Sequence, residues 1–254
     1  EEIDAIAEGA CEVAGQDCDS SALASTLRGV NVLPDLIRMQ CSMLGAWNSA
    51  TPEGFLLQLR SLDFGGGPFA NHSILIVHHP SEFMEAFAAL SWPGFVGVIT
   101  GFNPTLSLSE KVNDLHGGGN PPGTYHGQTT AFVMRDILQF AQAPEQSRPP
   151  FGAKEKAHQI MQDANRTWGV WLGVGDSHSE QMMVVQYEEA SALAYNTTSV
   201  PTLTGQPLIA DTVYVDKHAQ PSTDTTMPNA IKALAASSNV TAKTAADLCE
   251  RTQS

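Results

Sequence analysis

Apolar positions along the chain fall into strand-like runs with two helical stretches between them. "GFLLQLRSLDF" (54–64), "HSILIVHH" (72–79), "PGFVGVITGF" (93–102), "TWGVWLGVGD" (167–176), "EQMMVVQYEE" (180–189) and "TVYVDKHA" (212–219) are rich in Val, Ile, Leu and aromatics. They sit among Gly, Pro and Asp, as buried or half-buried strands do. Between the third and fourth runs the period changes. In "GQTTAFVMRDILQFAQA" the apolar residues Phe132, Val133, Ile137, Leu138 and Phe140 follow helical spacing, and "AKEKAHQIMQDAN" predicts an amphipathic helix after the Pro-rich link "EQSRPPFG". Further helices are predicted over 2–14, 20–28, 228–237 and 241–250. Strands, then helices, then strands is an α+β layered order and not the alternating βαβ of a doubly wound sheet. No internal repeat is visible. The glycines of "DLHGGGNPPGTYHG" do not follow a strand and open a helix, so this stretch is expected to be a surface loop or lid and not a nucleotide loop.

Composition narrows the function classes. The chain has 254 residues, 42% hydrophobic and 16% charged, which suits one large globular domain or two small ones. A net charge of −14 excludes a nucleic-acid binder, which needs a basic face, and suits work at acid pH, where carboxylates are partly neutralised. No run of 18 apolar residues exists to cross a membrane, and the start at Glu1, with no signal peptide, is expected to be a processed N-terminus. Four Asn-x-Ser/Thr sequons, at Asn71, Asn165, Asn196 and Asn239, and four cysteines point to the secretory pathway, with a secreted or lysosomal destination.

The candidate chemistry starts at Cys41. Arg60 and Asp63 follow on a predicted strand. A thiolate nucleophile needs a base for its proton and positive charge to hold its pKa down. If the chain is cut before Cys41, the new α-amine can be that base, with Asp63 orienting it and Arg60 near the thiolate or the oxyanion. Arg60 and Asp63 are three apart, so a regular strand points them to opposite faces, and a bulge or strand end is required if both reach the site. The same residues have a plainer account: a buried cysteine acting as a small hydrophobe beside a surface ion pair worth under about 1 kcal/mol.

Cys41-Ser42, the run "LRSLDFGGG" and the later "SWPGFVGVITGFNPTLSLSEKVND" together resemble the acid ceramidase and N-acylethanolamine acid amidase family. The matched positions are Arg60, Asp63, Phe64 and Gly65, then Gly94, Phe95, Val96, Gly97, Thr100, Gly101, Pro104 and Leu106 to Leu108. "GVGDSHSEQMMVVQYEEASALAY" resembles the family's glycine-turn hairpin, and the penicillin acyltransferase-like group is similar more distantly. The resemblance spans about residues 35–220.

It implies an N-terminal nucleophile (Ntn) hydrolase, a four-layer αββα sandwich made as an inactive precursor and cut between Gln40 and Cys41. Residues 1–40, with eight acids and two bases, would be a small acidic subunit, and 41–254 the hydrolase domain of one globular unit. It also implies a disulfide from Cys11 or Cys18 to Cys249, against the alternative that Cys11 and Cys18 pair with each other. The implied activity is hydrolysis of a linear, lipid-like N-acyl amide through a thioester, without metal or cofactor, in a protein that can oligomerise. The chain departs from the family pattern in "VYVDKHAQPS", where Lys217 stands in place of an oxyanion Asn, beside His218, and in the absence of a clear second arginine. The turn "NSATPEG" accounts for three extra residues between Cys41 and Arg60. These departures keep open a second class, an inactive secreted structural or lipid-binding protein with the same fold.

Other residues carry less. Adjacent His78 and His79 point to opposite faces and do not make a shared metal site. His72, His116, His126 and His178 lie in loop-like contexts without ligand spacing. Trp168 and Trp171 are expected in the core, and Trp47 either in an acyl pocket or in the core.

Overall fold

The computed structural model describes residues 1–15, 17–36, 40–63, 71–79, 84–112, 126–140, 152–167, 169–200, 205, 207–217 and 225–251, without the side chains of Gln40, Asp63, Phe140, Glu250 and Arg251. Phe64, Gly65, His116, Trp168, His218, the link 145–151 and most of the loop 114–127 lie outside the described residues.

Two helices open the chain, α1 (Glu2–Ala14) and α2 (Ser20–Leu36). Among the described residues ten strands follow: β1 (Gln40–Ala46), β2 (Leu57–Asp63), β3 (Ile74–His78), β4 (Phe87–Ser91), β5 (Thr100–Phe102), β6 (Leu106–Val112), β7 (Val170–Asp176), β8 (Gln181–Tyr187), β9 (Ala192–Tyr195) and β10 (Thr212–Val215). Helices α3 (Thr130–Phe140) and α4 (Ala153–Asp163) separate β6 from β7, and α5 (Thr226–Ala236) and α6 (Ala242–Arg251) follow β10. A three-stranded sheet runs β10-β1-β2, and a seven-stranded sheet runs β3 to β9 in chain order, with every pairing antiparallel.

Period-two alternation along β1 builds the layers. Met43 faces the larger sheet and packs with Trp47, Trp171, Met182, Val184, Val213 and Val215. Leu44 and Ala46 face the other way, onto Met227, Ile231, Val240, Ala245 and Leu248 of the C-terminal helical layer. On the far face of the larger sheet, Val133, Met134, Ile137 and Leu138 of α3 and Ala157 and Met161 of α4 pack on Leu106, Leu108, Leu172, Val174 and Val185. The order is helices, sheet, sheet, helices, the αββα sandwich.

Several elements differ from those predicted. β1, β4, β6 and β9 are strands without a predicted counterpart. β4 and β9 are short, β1 is broken by Ser42 and Gly45, and β6 carries Ser107, Ser109, Glu110 and Lys111, so no long apolar run marks them. The run 93–102 is a strand only over Thr100–Phe102; its earlier part is a buried turn. α2 runs on to Leu36 through Pro34, although an interior proline costs about 3 kcal/mol in a helix. Tertiary contacts hold this turn: Asn31, Pro34 and Asp35 are all buried.

The disulfide corrects the cross-subunit expectation. Cys11 is bonded to Cys18, and Cys249 on α6 is a half-buried thiol outside the disulfide. The short turn between α1 and α2 brings the Cys11 and Cys18 Cα atoms to 5.1 Å, whereas Cys249 belongs to the helical layer over the smaller sheet.

Candidate active site

Cys41 lies on the central strand of the smaller sheet, directly opposite Leu62 of β2, and Met43 is opposite Arg60. Residues facing one another across antiparallel strands share a face. Cys41 and Arg60 therefore both point into the space between the sheets. Arg60 Nη2 donates to Cys41 Sγ at 3.1 Å. Its Nε donates to the Glu110 carbonyl at 2.5 Å, its Nη1 to Thr100 Oγ1 at 3.1 Å, and Nη2 also to Glu110 Oε2 at 3.2 Å. The ion pair is sealed, with side-chain exposures of 4% for Arg60 and 2% for Glu110. A guanidinium suits this place because its planar fork can serve a thiol, a hydroxyl, a carbonyl and a carboxylate at once.

Glu110 is the site residue the sequence reading missed. A signal was present: "LSEKV" puts two charges side by side between Leu108 and Val112, and fully buried charged side chains are rare unless paired. Lys111 is also fully buried and donates to its neighbour's carbonyl, Val112 O, at 2.9 Å. Burial pushes the Glu110 carboxyl up to about 7; Arg60 opposes this, Asp35 adds to it, and Lys111 opposes it. Burial likewise lifts Asp35, at the end of α2, to about 6, against the hydrogen bond from Thr130 N. Cys41 is fully buried, and burial pushes its thiol up to about 11, with Arg60 pulling down and Glu110 pushing up. In the uncut chain the sulfur is therefore a thiol at neutral pH.

Asp63 ends β2 opposite Gln40, one register step from Cys41. The pairing runs unbroken from Leu57 to Asp63, so no bulge turns Asp63 onto the Arg60 face, and its position lies beside the Gln40–Cys41 bond. Lys217 follows the end of β10. The β1–β10 register, Met43 opposite Val215, would bring it level with Cys41 if continued, but the strand ends at Val215 and the chain bends at Lys217. On the outer face, the Tyr214 hydroxyl donates to the buried Asp216 carboxylate at 2.9 Å.

A cleft of about 450 Å³ runs along β2 beside β5 and β6, with Arg60 in its lining and Phe55, Leu56, Phe102 and Pro104 giving it apolar walls. Trp47 is not part of it; it is core, as is Trp171. His78 stacks on Phe87 with ring centroids 4.3 Å apart. Asn71, Asn165, Asn196 and Asn239 are all exposed. Among the described residues no helix is long and apolar enough to cross a membrane.

No protein-family model matches the chain. It is 35% identical over 221 residues to protein dcd1B of Dictyostelium discoideum, covering 84% of this chain and 42% of that protein. Protein dcd1A of the same organism is 32% identical over 236 residues, covering 87% of this chain and 48% of that protein. The chain thus spans about half the length of these curated relatives. Among solved structures, the Caenorhabditis elegans ortholog of N-acylethanolamine-hydrolyzing acid amidase (NAAA) matches with a TM-score of 0.59 at 16% identity, over 82% of this chain and 85% of that one. The chain has the Ntn-hydrolase fold of that amidase. Motif resemblance and structural likeness thus point to one fold, and within it Cys41 stands at the head of the central strand of the smaller sheet.

Proposed function

We propose that the chain is a self-processing N-terminal-cysteine amidohydrolase that cuts a linear N-acyl amide with an apolar acyl group. The observation that carries this reading is the contact of Arg60 Nη2 with the buried Cys41 sulfur, at 3.1 Å. A packing cysteine has no use for a sequestered guanidinium, whereas a nucleophile does. In processing, Cys41 Sγ attacks the Gln40 carbonyl carbon and the Cys41 nitrogen leaves as an amine. Water then hydrolyses the resulting thioester, releasing the Gln40 carboxylate. Residues 1–40 become the small chain and 41–254 the hydrolase chain. The freed amine takes the thiol proton, Asp63 orients that amine, and Arg60 stabilises the thiolate. Substrate then follows the same two steps: the sulfur attacks the amide carbon, the amine product leaves with the shuttled proton, and water releases the acid. Lys217 donates to the oxyanion in place of a neutral amide. The cleft that Arg60 lines takes the acyl group, and its apolar walls favour a lipid-like one.

A second reading, an inactive lipid-binding or structural protein, draws on the fully buried Cys41 thiol and on Lys217. Intact-mass analysis with N-terminal sequencing separates the two. Under the first reading the purified protein shows a chain beginning at Cys41, and Cys41→Ala leaves it whole and unable to hydrolyse a fluorogenic N-acyl amide. An unbroken Gln40–Cys41 bond in mature protein that also fails to turn over the amide sinks the mechanism. We also assign the protein to the secretory pathway, secreted or lysosomal, on the exposure of its four sequon asparagines. Endoglycosidase treatment should lower its apparent mass, and no shift counts against that route.

A further inference from the structure

Residues 1–36 meet the body of the protein through a buried amide. Asn31, 1% exposed on α2, donates its Nδ2 to Gly94 O at 2.8 Å and to Leu27 O of its own helix at 2.9 Å. Its Oδ1 accepts from Val96 N at 2.8 Å and Gly97 N at 3.4 Å. One side chain thus reads both the donors and the acceptor of the turn 94–97, much as an adjacent strand would. The turn is shaped for this approach. Gly94 has φ +82°, and a Cβ there would come within 2.5 Å of Leu27 Cδ2. Val30 packs on the cluster of Trp92, Phe95, Ile99 and Ala131. Beside it, Asp35 Oδ2 accepts from Thr130 N at 3.1 Å, serving the first turn of α3, and Arg135 donates to Glu2 at 2.7 Å and to Val96 O at 2.8 Å. None of these contacts is covalent. The one disulfide among the described residues, Cys11–Cys18, lies wholly within the segment.

We infer that the turn 94–97 is a docking socket that holds residues 1–40 as a non-covalent subunit after the chain is cut, with the Asn31 amide as the recognising group. This rests on the cleavage proposed above. It assigns the Gly-Phe-Val-Gly stretch a role in subunit retention and none in the chemistry at Cys41. Leaving the socket would exchange the Asn31 hydrogen bonds for bonds to water and expose the apolar face of Val30 and the cluster it packs on.

The test replaces residues 37–39 with a protease site, so that the chain can be nicked whether or not it cuts itself; failure of self-processing then leaves this test intact. Native mass spectrometry and size exclusion of the nicked protein should find the segment bound with and without reductant. Asn31→Ala should raise its dissociation constant roughly 10–100-fold. If the uncut Asn31→Ala protein does not fold, Asn31→Asp decides, because it keeps the acceptor for Val96 and Gly97 but loses the donor to Gly94; it too should bind more weakly. The inference is overturned if the wild-type segment dissociates on nicking, if it is released only by reductant, or if the variant that folds binds as tightly as wild type.

Discussion

Two motifs of the same resemblance do different physical work. "LRSLDFGGG" delivers its arginine into the space between the sheets, where Arg60 holds the Cys41 sulfur, the Thr100 hydroxyl and Glu110. "GFVG" delivers no side-chain chemistry at all. Its value is bare backbone, a turn open enough for Leu27 to pack over Gly94 and for Asn31 to bond the peptide groups on either side. The first motif concentrates charge in a dry interior, where interactions are strong in both directions. The second uses neutral hydrogen bonds to hold one part of the chain against another. The first should therefore fail through chemistry and unpaired charge, the second through lost packing.

The largest effect is expected at Arg60. Arg60→Ala leaves Glu110 buried beside Lys111 and removes the cation at Cys41, so unfolding free energy should fall by about 3–5 kcal/mol, and N-acyl amide turnover should vanish. Arg60→Ala with Glu110→Gln should recover part of that stability in urea melts but none of the turnover. Recovery of turnover would show that Arg60 serves only to neutralise Glu110. Next comes Lys217→Ala, which should lower kcat on the same substrate by about 10²–10³ if Lys217 is the oxyanion donor, with little change in melting temperature. Gly94→Ala meets both a positive φ and the Leu27 side chain, and should cost about 1–3 kcal/mol in melting. Its turnover per folded molecule should be kept, which is the clearest contrast with Arg60.

A smaller effect is expected with pH. The Glu110 carboxyl is lifted in the folded protein from its ordinary 4.5 to about 7, and Asp35 from 3.8 to about 6. A group that binds its proton more tightly when folded contributes stability fully present below its unfolded pKa and lost as pH rises through the folded one. The protein should thus be most stable near pH 4 and lose on the order of 5 kcal/mol by pH 8. Glu110→Gln should remove about half of that slope; an unchanged slope in the variant would assign it elsewhere. Last, Cys249→Ser should alter neither turnover nor segment retention, since Cys249 is outside the disulfide.

The sequence by itself determined a good deal. The period change at 127–165 and the Val-, Ile- and Leu-rich runs on either side marked the helical layer and much of both sheets. The family resemblance carried by Cys41-Ser42, "LRSLDFGGG" and the later glycine motifs implied the fold that the acid amidase structure shares. Local patterns are legible in this way because one buried face imposes its period on its own segment. What the chain pattern left out were relations between segments. Glu110 was passed over because the paired charges of "SEKV" do not say what they pair with until the strand is seen to lie against Arg60. The Cys11–Cys18 pairing depended on how tightly α1 turns into α2. The path of α2 through Pro34 rests on a socket that lies some sixty residues further along the chain. These depend on which surfaces meet across the layers, and burial there decides which charges are held, which thiol stays protonated and which amide finds its partners.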